Sequence, residues 1–158
     1  MSTTQKINEI LGLPIVSEYM DITRTMFDTG SIECEVGELY YALVGLVRPL
    51  RIFETGTYKG ISSIYIAQAL KDNRQGHLDS LEYEQQHLQL AKQRWIKMDL
   101  QDWISEHLHD SRTFELQGQY DMMFLDTEPQ IRFFEMRRFW NNLKPGGYLI
   151  IHDLPENF

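Results

Sequence analysis

The sequence predicts an α/β fold in which a doubly wound parallel sheet of about five strands carries helices on both faces. Short apolar runs alternate along the chain with longer amphipathic segments, and a glycine-bearing turn joins one buried run directly to a helix. In addition, every predicted strand ends in acidic or polar residues. Because parallel strands end at one rim of a sheet, these residues predict a ligand site at that rim.

Composition limits the classes of partner. The 158 residues suffice for one domain with a sizeable core, and a net charge of −8 disfavours nucleic acid or an anionic membrane face as a partner. The tightest basic group, Arg132, Arg137 and Arg138, lies on a predicted helix and is interpreted as a solvated face. A single cysteine, Cys34, favours a reducing compartment and hence the cytoplasm. No apolar run reaches the length of a membrane span.

Two regions precede the first strand of the sheet. Residues 1–16 are predicted to form an arm or a small helix, and residues 17–158 a single domain. Apolar positions at i, i+3 and i+7 predict a helix from residue 17 to Gly30; these positions are Tyr19, Ile22 and Met26. A stronger amphipathic pattern predicts a second helix over residues 36–47.

Residues 51–63, RIFETGTYKGISS, are the segment around which the chain is organised. They predict a buried strand over residues 51–55, a turn bearing Gly56 and Gly60, and a helix from Ile61. Such a turn presents unpaired N–H groups and the positive end of a helix dipole to a small polar ligand. The spacing is G-x-x-x-G rather than G-x-G-x-x-G, which disfavours a nicotinamide-dependent oxidoreductase.

Four further strands and two helices are predicted after this segment. The strands are predicted over residues 77–81, 103–108, 120–125 and 148–151. One helix begins near Glu84. The other begins at Pro129 and carries one apolar stripe, made of Phe133, Met136, Trp140 and Leu143. Residues 144–147, KPGG, predict a turn before the last strand.

The polar residues that close the strands are the candidate site residues. They are Glu54, Glu82, Asp110 with Ser111, Asp126, and His152 with Asp153. A carboxylate in the place of Glu82 accepts both hydroxyls of a ribose in nucleotide-binding folds, or is a surface acid at a strand end. Ser62, after the glycine turn, either donates a hydroxyl or starts its helix. The sequence contains no nucleophile elbow, Walker loop or Cys-His arrangement.

The other candidates also keep two interpretations. Asp110 and Ser111 either bind an exocyclic amine and a ring nitrogen or form a helix N-cap. Asp126, His152 and Asp153 either hold a hard cation such as Mg²⁺ or only shape the pocket. No ligand spacing points to zinc.

Through these motifs the sequence resembles the class I S-adenosylmethionine-dependent methyltransferases, in particular the small-molecule O-methyltransferase-like branch. The motifs are ETGTYKGIS at 54–62, HLDSLE at 77–82, HDSRTF at 109–114, YDMMFLD at 120–126 and LKPGGYLIIHD at 143–153. Their order and spacing match the family over about residues 35–153. The resemblance implies a Rossmann-like sheet with strand order 3-2-1-4-5 and N-terminal helices over the cleft.

The resemblance also implies S-adenosylmethionine as the cofactor and a role for each site residue. The methionine part would be cradled by Glu54, Gly56, Thr57, Tyr58, Gly60 and Ser62. Glu82 would hold the ribose, and Asp110 and Ser111 would face the adenine. Asp126 would lie near the amino group and the transferred methyl. The resemblance does not supply a base for a small hydroxylated acceptor, and the two candidates in this sequence are His152 and Glu128. The residues expected to act in catalysis are Asp126, His152 and Asp153.

Three departures from the family pattern bear on activity. The metal-dependent branch ends its fifth strand in Asp-Asn, whereas this chain has Asp153 and Leu154, so Mg²⁺ on Asp126 and Asp153 stays an open alternative. The usual lysine after the fourth strand is absent from residues 127–132. The family also continues with a helix and two strands that this sequence does not contain, so a second copy of the chain or its own N-terminal segment is expected to cover an open sheet edge.

Two functions follow from these observations. The first is a methyltransferase that acts on a small molecule through a hydroxyl oxygen. The second is a shortened, non-catalytic module that binds S-adenosylmethionine without turnover, which the three departures favour.

Overall fold

The structure is a computed structural model that describes residues 1–18, 21–28 and 30–153. Its helices and strands, in chain order, are α1 (Thr3–Leu11), β1 (Val16–Glu18), β2 (Asp21–Met26), α2 (Cys34–Val47), β3 (Arg51–Thr55), α3 (Ile61–Asn73), β4 (His77–Glu82), α4 (Gln85–Lys97), β5 (Ile104–Leu108), β6 (Tyr120–Leu125), α5 (Pro129–Phe139) and β7 (Leu143–Ile151). Within these ranges, each helix lacks the combination of length and apolar character that a membrane span needs.

Five strands form one parallel sheet in the order β5-β4-β3-β6-β7. When the five strands of this sheet are numbered 1 to 5 in chain order, their order is the predicted 3-2-1-4-5. The doubly wound topology is therefore confirmed. The chain leaves β3 toward β4 on one side and later returns to β6 on the other, so the strand order reverses at β3. In such sheets a crevice opens at the carboxyl ends of the strands beside the reversal.

Alternate residues of the central strands enter two cores on opposite faces of the sheet. Ile52 of β3 packs with α2, α3 and α4 in the larger core, whereas its neighbour Phe53 packs with β6 and α5 in the smaller one. Because both faces are covered, β6 is a nearly continuous apolar run rather than an alternating one. The helices therefore lie on both faces, as predicted.

The predicted helix over residues 17–30 is wrong, because this region contains the antiparallel strands β1 and β2. The sequence of β2 holds three β-branched residues, Ile22, Thr23 and Thr25, which lose side-chain freedom in a helix and suit a strand. Tyr19, one of the three positions that suggested the helix, lies outside the described residues.

The N-terminal region is attached to the rest of the chain by buried side chains. Ile7 of α1, and Phe27 and Ile32 between β2 and α2, all belong to the larger core. Residues 1–16 were predicted to form an arm or a small helix, and they contain the helix, which is α1. The division into an arm at residues 1–16 and a domain at residues 17–158 stays a prediction.

The apolar stripe predicted on α5 is wrong in part. Phe133 and Trp140 are 41% and 58% exposed, because the inward positions of the helix are Arg132, Glu135 and Phe139. Two of these three positions are charged, so the apolar pattern follows a different face from the one that is buried.

The turn predicted at residues 144–147 lies inside β7. Pairing with β6 is interrupted there, where Asp121 alone faces these four residues. Gly146 has φ +80°, the left-handed conformation that the predicted turn requires. The strand therefore bulges and then resumes its parallel pairing. β5 also begins one residue later than predicted, at Ile104, after a 3₁₀ turn.

Candidate functional site

A cleft of about 690 Å³ opens at the carboxyl ends of the strands, within the usual size of small-molecule sites. The glycine turn after β3 and the ends of β4, β6 and β7 border it, and the segment between β2 and α2 faces them. Ten of the predicted site residues line the cleft: Gly56, Thr57, Tyr58, Ser62, Glu82, Asp110, Ser111, Asp126, His152 and Asp153. Glu54 and Gly60 are buried outside this lining.

The two glycines of the turn have different structural tasks. Gly56, at φ +79°, lies so close to the end of β6 that a Cβ atom would come within 2.1 Å of the Asp126 carbonyl oxygen. Gly60, at φ +78°, begins α3, and a Cβ there would lie 2.7 Å from atoms of Ala91 and Trp95 on α4. Gly56 therefore lets the turn pack against the end of β6, whereas Gly60 lets two helices pack closely. A role of Gly60 in holding a cofactor stays a prediction.

Glu82 is fixed at the end of β4 by three backbone N–H groups. Its Oε2 accepts from Tyr58 at 2.6 Å, and its Oε1 accepts from Tyr83 at 3.0 Å and Glu84 at 2.8 Å. Tyr58 adopts the left-handed conformation, with φ +47°, within the glycine turn. The carboxylate is thus held rigidly against the cleft, and Oε2 retains a lone pair for a hydroxyl group.

Glu54 is a buried acid behind the glycine turn. Its Oε2 accepts from the hydroxyls of Ser63 at 2.5 Å and Ser80 at 2.6 Å, while among the described residues Oε1 has no hydrogen-bond partner. Burial raises the pKa of Glu54, and the hydroxyls of Ser62, Ser63 and Ser80 act in the opposite direction. Ser62 is therefore within reach of this acid from the first turn of α3.

Asp110 follows β5 and is bound by its own loop. Its carboxylate accepts from the backbone N–H of Arg112 at 2.9 Å and from the guanidinium of the same residue at 2.6 Å. The Arg112 side chain holds the pKa of Asp110 below its usual range. Asp110 thus lines the cleft and orders a turn that includes Ser111, although no helix follows.

Glu135 is a buried acid that the sequence did not identify. Its Oε2 accepts from the hydroxyls of Thr55 at 3.0 Å and Thr127 at 2.8 Å, while Oε1 has no partner in the described part of the chain. Burial raises the pKa of Glu135, against hydrogen bonds that include one from Ser111. One carboxyl group thereby joins the ends of β3 and β6 and the loop after β5. The only signal in the sequence is an acid between apolar residues on α5.

His152 joins opposite sides of the cleft. Its Nδ1 lies 3.1 Å from Asp126 Oδ1, and its Nε2 lies 3.0 Å from Oε2 of Glu33, the residue before α2. Burial favours a lower pKa for His152, but the hydrogen bond to Asp126 and the charges of Asp126, Asp153 and Glu33 outweigh it and raise the pKa to about 9. At neutral pH the ring is therefore an imidazolium that donates from both nitrogens.

The interpretation of the basic group on α5 as a solvated face is wrong for Arg132, which is buried. Only 6% of this residue is exposed. Its Nε donates to the Thr127 carbonyl at 2.6 Å, and its Nη2 donates to Asp126 Oδ1 at 3.1 Å. Its Nη1 donates to the carbonyls of His152 and, at 2.6 Å, Asp153. A single guanidinium thus ties the carboxyl ends of β6 and β7 together.

The predicted metal ligands Asp126 and Asp153 do not form a complete set for Mg²⁺. Asp126 Oδ1 already accepts from two cationic side chains, and the Asp153 side chain is 63% exposed. Ligand atoms of Glu33, His152 and Asp153 lie within 4.8 Å of one another. However, histidine ligates a metal as a neutral ring with a free nitrogen, and Mg²⁺ prefers six oxygen ligands. Metal binding stays a prediction that this arrangement does not favour.

Known proteins are similar to this chain in sequence. A family model described as "Methyltransferase domain" matches residues 53–154. A Mycobacterium tuberculosis protein named "Probable O-methyltransferase Rv1220c" is 25% identical to the chain over 132 residues, which cover 81% of the chain and 58% of that protein.

Two solved structures share the fold. The S-adenosylhomocysteine-bound methyltransferase PaMTH1 of Podospora anserina has a TM-score of 0.74 at 17% identity, covering 78% of this chain and 54% of that protein. An O-methyltransferase from Bacillus cereus in complex with S-adenosylhomocysteine has a TM-score of 0.70 at 20% identity, covering 93% and 62%. This chain therefore spans less than two thirds of each of these relatives.

Proposed function

Because this chain belongs to the methyltransferase domain family, we propose that it binds S-adenosylmethionine in the cleft and transfers a methyl group to a hydroxyl oxygen of a small molecule. The observation that carries the proposal is the set of carboxylates, Glu82, Asp110 and Asp126, that surrounds a glycine turn at one rim of the sheet. The product-bound states of PaMTH1 and the Bacillus cereus enzyme support the choice of cofactor.

The residues of this rim fit the chemistry of S-adenosylmethionine. The cofactor carries an ammonium group, a sulfonium and two ribose hydroxyls, which are all attracted by carboxylates. Glu82 would hold the ribose, since three backbone N–H groups already fix it. Gly56, Thr57 and Tyr58, which line the cleft, would cradle the methionine part. Asp126 would hold the amino group, and Asp110 and Ser111 would face the adenine.

When bound, the cofactor supplies an electrophilic methyl group and a neutral leaving group. The residues of the chain then have two tasks, which are to orient the acceptor oxygen and to take its proton. In this proposal Asp153, which lines the cleft, would take the proton, because Asp126 already binds Arg132 and His152 and would hold the amino group. His152 already carries a proton at neutral pH, so in this proposal it orients Asp126 through its Nδ1 bond.

The same observations bear on partners and location. The volume of the cleft suits a small acceptor, and the net charge of −8 supports the absence of nucleic acid or anionic membrane as a partner. β7 lies at one edge of the sheet, and its Tyr148 is exposed, which supports a second copy of the chain as a cover for that edge. The single buried Cys34 supports a cytoplasmic location.

Isothermal titration calorimetry tests the cofactor. We expect S-adenosylmethionine and S-adenosylhomocysteine to bind and NAD⁺ not to bind. Glu82→Ala should weaken binding of S-adenosylhomocysteine about 10- to 100-fold, because a hydrogen bond to a charged group contributes about 1.5–3 kcal/mol. Glu115→Ala removes an exposed acid outside the cleft lining and should bind as the wild type does. Equal affinities of the wild type and Glu82→Ala would contradict the ribose assignment.

Methyl transfer from radiolabelled cofactor to a panel of phenols and other hydroxylated small molecules then tests turnover. Transfer to any member supports the proposed activity. Binding of the cofactor without transfer to any member selects the non-catalytic binding module instead. Absence of binding by both forms of the cofactor overturns the proposal.

A further inference from the structure

We propose that Arg132 is a positioning residue that orients the Asp126 carboxylate and supplies, in its own side chain, the positive charge for which a metal-dependent site would use a divalent cation. This inference rests on the proposed function, because it assigns Asp126 to the part of the cleft where cofactor and acceptor meet. Arg132 lies between the motifs at residues 120–126 and 143–153, and the charge pattern predicts a solvated position for its side chain.

The geometric part of the inference rests on the number of hydrogen bonds that the Arg132 guanidinium donates. Four of its five N–H groups donate to the Asp126 carboxylate and to the carbonyls of Thr127, His152 and Asp153. These acceptors belong to the ends of two neighbouring strands, β6 and β7. A buried planar donor with this many fixed bonds holds the two ends in one relative position.

The same bonds determine which oxygen of Asp126 faces a bound molecule. Arg132 Nη2 and His152 Nδ1 both approach Oδ1, each at 3.1 Å. Among the described residues, Oδ2 of Asp126 therefore keeps its lone pairs. One oxygen of the carboxylate is thus occupied by two donors, and the residue lines the cleft.

The electrostatic part of the inference rests on the balance of charge. The Arg132 guanidinium is buried and lies 3.1 Å from Asp126 Oδ1, so a fixed positive charge already faces this carboxylate. A divalent cation placed on Asp126 would lie beside the guanidinium that already binds the same carboxylate, and like charges repel most strongly where water is excluded. Removing the charge of Arg132 should therefore create an affinity for divalent cations that the wild type lacks.

Three variants separate charge from geometry. Arg132→Gln removes the charge, and Arg132→Lys keeps the charge but cannot reproduce the four bonds. Arg137→Gln, an exposed arginine on the same helix that stacks on Phe133, is the matched control. The melting temperature of each is measured with MgCl₂, with MnCl₂ and with EDTA, and the Kd for S-adenosylhomocysteine is measured by calorimetry.

We expect the melting temperatures of the wild type, Arg132→Lys and Arg137→Gln to be unaffected by the metals or by EDTA. The melting temperature of Arg132→Gln should rise saturably with Mg²⁺ or Mn²⁺. Both Arg132 variants should bind S-adenosylhomocysteine about tenfold or more weakly than the wild type, and Arg137→Gln should not differ from it.

A saturable rise for the wild type, or its absence for Arg132→Gln, would overturn the electrostatic part. Wild-type affinity in Arg132→Lys would overturn the geometric part. If Arg132→Gln does not fold, Arg132→Met, which also removes the charge, takes its place in the metal titrations. Failure of the wild type to bind S-adenosylhomocysteine would refute the proposed function instead, because the metal titrations need no cofactor.

Discussion

Replacement of Gly56 by alanine should destabilise the chain much more than replacement of Gly146, although the two glycines have the same backbone conformation. Their φ values are +79° and +80°, so the left-handed penalty of about 1–2 kcal/mol for an L-residue is common to both. Alanine also restricts the unfolded chain, which offsets about 0.4–1 kcal/mol in each case. Since nothing lies within 4 Å of a Cβ at Gly146, its variant should lose only about 1 kcal/mol.

At Gly56 a second cost is added. The new Cβ would lie 2.1 Å from the Asp126 carbonyl oxygen and 3.0 Å from the Thr127 nitrogen, and neither backbone atom can rotate away. The overlap is relieved only if β3 and β6 separate where the Asp126 N–H donates to the Thr55 carbonyl at 3.1 Å. Overpacking and loss of this bond cost roughly 2–3 kcal/mol, so we expect about 3–4 kcal/mol in all for Gly56→Ala.

Urea unfolding followed by tryptophan fluorescence measures both variants, since Trp95 is buried in the larger core. The free energies of unfolding are compared with that of the wild type at constant slope of the urea dependence. If the two variants differ by less than about 0.5 kcal/mol, the contact between the turn and β6 does not have the importance that the structure gives it.

Two carboxyl groups should give the free energy of unfolding opposite dependences on pH. Burial raises the pKa of Glu135. The contribution of this group to the free energy of unfolding is therefore fully present below its unfolded pKa of 4.5 and is lost as the pH rises. Glu135→Gln should remove that loss, which urea titrations from about pH 5 to about pH 8 would measure. For Asp79, burial acts against ionisation, but hydrogen bonds from His107, Tyr120 and Arg51 prevail and lower the pKa. Its contribution is present above 3.8 and lost in acid, so Asp79→Asn should lose less stability than the wild type from about pH 5 to about pH 3. Parallel pH curves for a variant and the wild type would contradict either assignment.

The sheet and its polar rim could be predicted because their signals are local. β6 is covered on both faces and is apolar at every position except Asp121, which makes the run at residues 120–125 recognisable without any partner. The glycine turn is equally local, since Gly56 and Gly60 both adopt the left-handed conformation that glycine favours. Once the topology was inferred, the residues after each strand had to meet at one rim.

The polar network on that rim could not be predicted because its partners are far apart in the sequence. Glu33 and His152 are separated by 119 positions, and no pattern in the sequence around either residue indicates a contact with the other. Arg132 and Glu135 lie on the inward face of α5, where methods based on apolar periodicity expect apolar side chains. The β1–β2 hairpin was missed because three spaced apolar residues outweighed the β-branched residues between them.

The register of β7 beyond its bulge determines where His152 lies, directly after the strand. Beyond the bulge, Leu125 pairs with Ile151, and this pairing brings His152 beside Asp126. A slip of one residue would displace the imidazole by about 3.3 Å and turn the strand over, so the bond to Asp126 would be lost. An extra residue inserted at positions 145–147 would enlarge an existing irregularity, whereas the same insertion at positions 149–151 would dismantle the cluster at the far end.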